Sequence, residues 1–422
     1  MTSLQTPQTL QTPREGLDTR WAAVRRALLV RLDNLGDVLV TTPAIHAIRE
    51  SLPDAHITLL ASPVGAQVGR LDPDVDEVVV YEAPWMDPWH TLPPDGAREQ
   101  RMIQRLRRGR FDGAIIFTSY HQSSLPAAYL AYLADIPLRV AASIDGPGSL
   151  LTTRHKHPER MMHEVERGLD LVGAIGMRAS KDDLVLRVPE SARAEVKAVW
   201  KARAERAERA ERTRRAVETA SERPAATASA CADFEEPLVV VHPGCSMPAR
   251  TYPWEMYARV VELLAERLGA RVALTGAASE RDLVARIYGA IRPDVRAGVT
   301  PLAGALSFPG LCALIEMARL TITNNTGPMH IAAAVKTPVV ALFALTNPPE
   351  QWGPWRVAYR QLYHDVSCRI CYSRICPYGH ECLRLVTPEQ VTEAARELLR
   401  ERGDAGARRV DEALASLGGG AQ

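Results

Sequence analysis

Short apolar runs alternate with stretches of helical periodicity twice along this chain, on either side of one long polar stretch. In the first half, Ala27–Arg31, Ile57–Ala61, Val78–Tyr81 and Ala114–Phe117 have the length and composition of buried strands. Between them Asp37–Leu52, residues 97–108, Leu125–Ala134 and Met161–Ile175 read as helices, with Val38, Ile45, Ile48 and Leu52 at helical spacing. The alternation restarts at Leu238. Strand-like Leu238–His242, Val272–Thr275, Leu320–Thr323 and Pro338–Leu342 interleave with helical Trp254–Leu268, Glu280–Ile291, Ser307–Arg319 and Pro328–Val335. Such alternation implies parallel pairing through right-handed crossovers, hence sheets covered on both faces. The expected fold is therefore α/β, with two Rossmann-like halves whose strand carboxyl ends bound a ligand cleft.

The polar stretch separates the halves. Residues 191–222 are Ala, Arg and Glu almost throughout, with the tandem RAERAERAER at 203–212, and 224–232 are small and flexible in composition. A solvated helix followed by a linker is the expectation. The division is then a disordered extension over 1–20, a first domain over 21–188, the helix and linker over 189–236, a second domain over 237–402, and a flexible tail over 403–422. Lys and Arg number 51 against 50 Asp and Glu, so a net charge of +1 offers nucleic acid no overall attraction. No apolar run approaches the roughly 20 residues needed to cross a bilayer. The polar start lacks the apolar centre of a secretory signal, which predicts a cytoplasmic protein with reduced thiols.

Three stretches carry chemistry. In RLDNLGDVLV a strand ends, Asn34 and Gly36 make a turn, and Asp37 stands where a helix begins. A carboxylate there either caps the helix or serves as a general base at the sheet edge. G-x-G-x-x-G is missing, which argues against a nicotinamide enzyme. In TNNTGPMHI a strand runs through Asn325, Thr326 and Gly327 into a helix begun by Pro328, with Met329 and His330 in its first turn. This is either a well-made turn or a seat for a diphosphate on free N–H groups. In VVVHPGCSMPAR a glycine-containing loop supplies Ser246 and Arg250, whose planar fork matches phosphate oxygens.

Taken in order, LGDVLVTTPAIHAIRESLPDAHITLL, HPGCS, ARTYPWEMYARVVELL, VALTG, SERDL and NNTGPMHIAAAVKTPVVALF resemble glycosyltransferase family 9, the ADP-heptose:lipopolysaccharide heptosyltransferases and their relatives. The resemblance runs from about Ala27 to Arg396. It implies a GT-B fold, with two Rossmann-like domains facing each other across a cleft, acceptor on the first and donor on the second. It implies an inverting transferase with Asp37 as base and no cofactor for catalysis. Arg250 then stands where many members have Lys on the diphosphate, Ser246 where a hydroxyl meets phosphate, and Glu280 near the nucleoside. Asn325 departs from the family's usual Asp-Ser-Gly or Asp-Thr-Gly, keeping hydrogen bonding but losing a charge. The implied partners are a nucleotide sugar, with ADP-heptose foremost, and a lipid-linked or core-oligosaccharide acceptor. Transfer of another nucleotide sugar, epimerisation of a UDP-sugar, and a non-catalytic binding role are the alternatives.

Other features invite separate readings. Asp72, Asp74 and Asp76 have the Asp-x-Asp spacing of metal-dependent transferases but read as a solvated loop. Arg98, Arg101, Arg105, Arg107, Arg108 and Arg110 mark a surface helix or a contact with anionic headgroups at the cytoplasmic face of the inner membrane. Within 364–383, Cys368, Cys371, Cys376 and Cys382 suggest a structural zinc knot, or else free thiols.

Overall fold

The computed structural model describes residues 16–86, 91–217 and 236–401. Most of the expected N-terminal extension, the linker after 217 and the tail lie outside the described residues. The chain divides into two units, Met1–Arg187 with Glu350–Trp355, and Val188–Pro349 with Arg356–Gln422.

The first unit is built on β1 (Arg26–Arg31), β2 (His56–Ala61), β3 (Glu77–Val80), β4 (Gly113–Ile116), β5 (Leu138–Ala142) and β6 (Thr153–His155). They pair in the order β3-β2-β1-β4-β5-β6, every pair parallel. The second unit uses β7 (Leu238–His242), β8 (Arg271–Leu274), β9 (Val299–Pro301), β10 (Leu320–Asn324), β11 (Val339–Leu342) and β12 (Tyr359–Leu362). Their order, β12-β11-β10-β7-β8-β9, is the same arrangement repeated, again all parallel. β7 is buried at every position, as a central strand covered on both faces must be. Within the described residues β5, β6, β9 and β12 are strands that periodicity did not reveal, because each is short and three of them lie partly exposed.

In each sheet the order reverses between two neighbouring strands, β1 and β4 in the first, β7 and β10 in the second. Loops leaving the carboxyl ends of those strands diverge, which opens a crevice at that point.

Three sequence expectations need correction. Residues just before β1 are part of the fold, not of a disordered extension ending at Arg20. Asp18 caps the short helix Thr19–Ala22, and Trp21 is fully buried. Its ring lies where a Cβ on Gly113 would come within 2.7 Å, so glycine is required at the start of β4. The helix Glu190–Val217 is not simply solvated, because its first half belongs to the second unit. Ala192 and Val196 are buried, Arg193 Nε meets Glu316 at 2.7 Å, and Glu195 accepts from the backbone and hydroxyl of Ser307 at 2.6 Å each.

Finally, Glu350–Trp355 was expected within the second domain but clusters with the first. His163 Nε2 lies 2.9 Å from the Gly353 carbonyl, and its ring stacks on Trp355 at 4.5 Å. Trp355 Nε1 donates to the Asp182 carbonyl at 2.7 Å.

Trp21→Ala should cost about 3–5 kcal/mol of the first unit's stability, the usual cost of emptying a large aromatic site. Denaturant unfolding followed by tryptophan fluorescence measures it. A loss below about 1 kcal/mol would mean that the ring does not anchor this end of the sheet.

Candidate active site

At the first reversal point, β1 ends in Arg31 and the helix Leu35–Ser51 starts four residues later. Asp37 occupies the third position of that helix. Its Oδ2 accepts the Asn34 backbone N–H at 2.9 Å. Its Oδ1 faces the other way, 3.0 Å from Ser119 Oγ and 3.4 Å from Arg31 Nη2. The two readings of this residue are therefore compatible: one oxygen ties the helix start, and the other is held in a buried polar cluster.

Arg31 is the centre of that cluster. Its guanidinium donates to Ser119 Oγ at 2.8 Å and lies 3.6 Å from Asp33 Oδ2 and 3.9 Å from Glu164 Oε2. Ser119 Oγ is also 2.7 Å from Asp33 Oδ2. Its single proton serves Asp33 or Asp37, not both. Glu164 in turn meets Arg167 Nε at 3.2 Å and accepts from Gln351 Nε2 at 2.5 Å. Two guanidinium groups thus face three carboxylates, one negative charge too many for a buried site.

The surplus disfavours ionisation of these carboxyl groups. Burial, reinforced by the Asp33 and Glu164 charges and opposed by Arg31, pushes the Asp37 carboxyl from 3.8 up to about 6. Burial also pushes Glu164 upward. A carboxyl group with such a value at a crevice suits general base chemistry near neutral pH.

Sequence reasoning found Asp37, Asn34 and Gly36 but passed over Arg31, Asp33, Ser119, Glu164 and Gln351. One signal was available: Arg31 and Asp33 are charged residues at the end of an apolar strand. Glu164 and Gln351 come from remote segments, and nothing local marks them.

At the second reversal point, Asn324 closes β10 and is fully buried. Its Oδ1 accepts from the Tyr252 backbone and the Tyr257 hydroxyl, both at 3.0 Å. Its Nδ2 donates to the carbonyls of Pro243 and Gly244 at 2.8 and 3.3 Å. One side chain therefore fixes the loop after β7 against the end of β10. Thr326 precedes the helix Gly327–Ala334, whose first turn contains Pro328, Met329 and His330, all three buried. Asn325 donates to Asn347 Oδ1 at 3.0 Å and accepts from the Ala344 N–H at 3.2 Å. The two amides thus pair with each other at the end of the sheet.

The remaining donor-side candidates surround the same loops. Arg250 Nε donates to Thr346 Oγ1 at 2.9 Å, and Ser246 is exposed. Glu280 Oε2 accepts from the Ala277 N–H at 2.7 Å and lies 3.7 Å from His242 Nε2. A Cβ on Gly244 would come within 2.0 Å of Glu280 Oε1, so this glycine admits the carboxylate to the loop. The structure thus brings Arg250, Glu280, Asn325 and the 326–330 turn to the end of one sheet.

The Asp72 loop is solvated only in part, with Pro73 and Asp76 exposed. Asp72 is buried and accepts from the Asp74 N–H at 2.9 Å, Asp74 Oδ2 is 2.8 Å from His46 Nδ1, and Asp76 meets Arg49 at 2.6 Å. Burial pushes Asp72 up to about 7. These carboxylates anchor the loop to the helix Leu35–Ser51.

In the cysteine-rich loop, Cys368, Cys371, Cys376 and Cys382 line one recess of about 350 Å³ beside Thr346 and His380. Among the described residues, no three of these sulfurs lie within 4.8 Å of one another. The loop also braces Arg250. Ala249 N–H donates to the Arg374 carbonyl at 2.9 Å, and Tyr372 N–H to the Thr346 carbonyl at 2.9 Å.

Two parallel six-stranded sheets of this order, each with a polar site at its reversal point, define a two-unit α/β protein of the GT-B class. The model of glycosyltransferase family 9 (heptosyltransferase) matches residues 100–381. The chain belongs to that family, and it is a glycosyltransferase. It is 25% identical over 366 residues to lipopolysaccharide heptosyltransferase 3 of Escherichia coli K12, covering 87% of this chain and 96% of that one. It is 30% identical over 178 residues to lipooligosaccharide heptosyltransferase 2 of Campylobacter jejuni, covering 40% of this chain and 55% of the relative. This second match therefore spans about half the relative's length. The structure of E. coli ADP-heptose lps heptosyltransferase II shares the fold at a TM-score of 0.66 and 21% identity, over 90% of this chain and 99% of that one. Among the described residues no helix is long and apolar enough to cross a membrane.

Asn324→Ala should cost at least about 2 kcal/mol, because it orphans several buried polar groups at once. Thermal unfolding checks this, and the loss of a single surface hydrogen bond would not reach that size.

Proposed function

We propose that this protein is an inverting glycosyltransferase that moves heptose from ADP-heptose onto a lipopolysaccharide-core or related envelope glycan. The observation that carries the reading is Asp37, whose Oδ1 sits in a buried, over-acidic cluster at the reversal point of the first sheet. In this reading Asp37 takes the proton of an acceptor hydroxyl. The freed oxygen attacks the anomeric carbon opposite the leaving group, the bond to the nucleoside diphosphate breaks, and the configuration inverts.

Arg31 and Ser119 keep the Asp37 carboxylate oriented and moderate its basicity. Arg250, the Thr326–His330 turn and Ser246 receive the diphosphate, with guanidinium and helix-start charge neutralising the leaving group. Glu280 meets the nucleoside. The names of these three relatives, all heptosyltransferases of lipopolysaccharide or lipooligosaccharide and one of them including ADP-heptose, support donor and acceptor. The exposed arginines of the helix Gly96–Arg108 fit an enzyme working beside anionic headgroups on the cytoplasmic side of a membrane. Asn325, whose amide is spent on Asn347 and Ala344, favours a second reading in which the donor is a different nucleotide sugar.

Asp37→Asn should abolish release of ADP from ADP-heptose in the presence of truncated lipopolysaccharide, yet leave thermal stabilisation by the donor unchanged. Equal turnover in the variant would sink the base assignment. Stabilisation by UDP-GlcNAc or ADP-glucose but not by ADP-heptose would replace the sugar and keep the enzyme class.

Because the base must be ionised, kcat/KM should fall as pH drops through about 6. The same raised value means the folded chain holds this proton more tightly than the unfolded one. Asp37's contribution to stability therefore declines as pH rises from about 4 to about 6. Arg250→Ala should weaken donor binding by about 10- to 100-fold, the range expected for a lost charge-assisted bond. Isothermal titration with ADP-heptose reads it.

A further inference from the structure

One cluster of ligating side chains has no part in the reading above. β6 ends at His155, Lys156 follows, and His157 stands two residues on, while Asp170 lies in the helix Glu164–Gly173. His155 Nε2 and His157 Nδ1 lie 2.6 and 2.7 Å from one oxygen, Asp170 Oδ2. The two rings are 5.0 Å apart and nearly perpendicular, so their nitrogens approach that oxygen from different directions. The three side chains are 17%, 12% and 27% exposed, sheltered but reachable. Among the described residues this is the one set of three His, Cys, Asp or Glu ligand atoms that converges within 4.8 Å.

We propose that His155, His157 and Asp170 bind a divalent first-row transition-metal ion such as Zn²⁺. Two imidazole nitrogens and one carboxylate oxygen form the donor set these ions favour over Mg²⁺ or Ca²⁺. Bonds of about 2.0–2.2 Å in tetrahedral array separate the donor atoms by roughly 3.4 Å, so each present contact opens by less than about 1 Å. Water fills the fourth position. The site lies within one unit and joins two elements, the end of β6 and the helix Glu164–Gly173. That helix begins with Glu164, which faces Arg31, and carries Arg167 one turn later. His157 also borders a polar recess of about 280 Å³ shared with Arg31, Thr118, Glu164 and Arg167, which supplies an entry path. A bound ion thus fastens the helix that completes the Arg31 cluster.

The test uses the full chain stripped with a chelator and titrated with Zn²⁺ by calorimetry, with bound metal counted by elemental analysis. A Cys368→Ser/Cys371→Ser protein is run in parallel to remove the competing thiols. That protein should bind one ion. Adding His155→Gln/His157→Gln, or Asp170→Asn alone, should weaken binding at least tenfold while the metal-free protein still unfolds in one cooperative transition. Unaltered affinity in those variants overturns the proposal, as does loss of all binding in the cysteine variant. If the histidine variants fail to fold, Co²⁺ in the cysteine variant decides. Visible bands of nitrogen and oxygen coordination support the site, and their absence at saturating Co²⁺ refutes it.

Discussion

Reversal of strand order in a parallel sheet is the constraint on which both polar sites rest. Every strand in either sheet runs the same way, so all carboxyl ends lie along one edge. Crossovers leaving β1 and β4 go to opposite sides, as do those leaving β7 and β10, and the backbone between them cannot close the gap. Side chains must fill it. In the first unit these are Arg31, Asp37 and Ser119, and in the second Asn324 and its partners. The repeated topology thus serves two purposes with different chemistry. An over-acidic buried cluster tunes a carboxyl group, and a neutral amide holds a loop against a helix start.

The first cluster is costly by design. Burying three carboxylates against two guanidinium groups brings a desolvation penalty that their mutual attraction does not fully offset. That imbalance raises Asp37 towards neutrality, and a surface carboxylate could not be tuned in this way. The second site avoids charge at its centre. Asn324 uses both ends of its amide to satisfy four backbone and side-chain groups, which an ionised aspartate could not do. Asn325 follows the same logic with Asn347, so the amide at a position where the family more often has a carboxylate is matched by its neighbour.

Much of the architecture was legible in the chain itself. Apolar runs of strand length marked the central strands, because strands buried on both faces cannot alternate. The edge strands β6, β9 and β12 escaped notice, since a short, half-exposed strand carries too few apolar residues to stand out. The Asp-Pro-Asp-Val-Asp loop looked solvated because its composition is polar. Only its contacts with His46, Arg49 and its own backbone reveal it as an anchor. The crowded cysteines suggested a metal knot, and the fold brings all four to line one recess.

By itself the sequence determined the α/β class, the doubling of the unit and the local identity of the loops that carry Asp37, Arg250 and Asn325. These depend on periodicity and on turn chemistry, which act over a few residues. Tertiary structure decided which distant residues meet: Ser119 and Glu164 at Arg31, Asn347 at Asn325, Gly353 and Trp355 at His163. It also decided that His155, His157 and Asp170 share one point. Such encounters depend on how helices settle against sheets, which no local pattern of residues reveals.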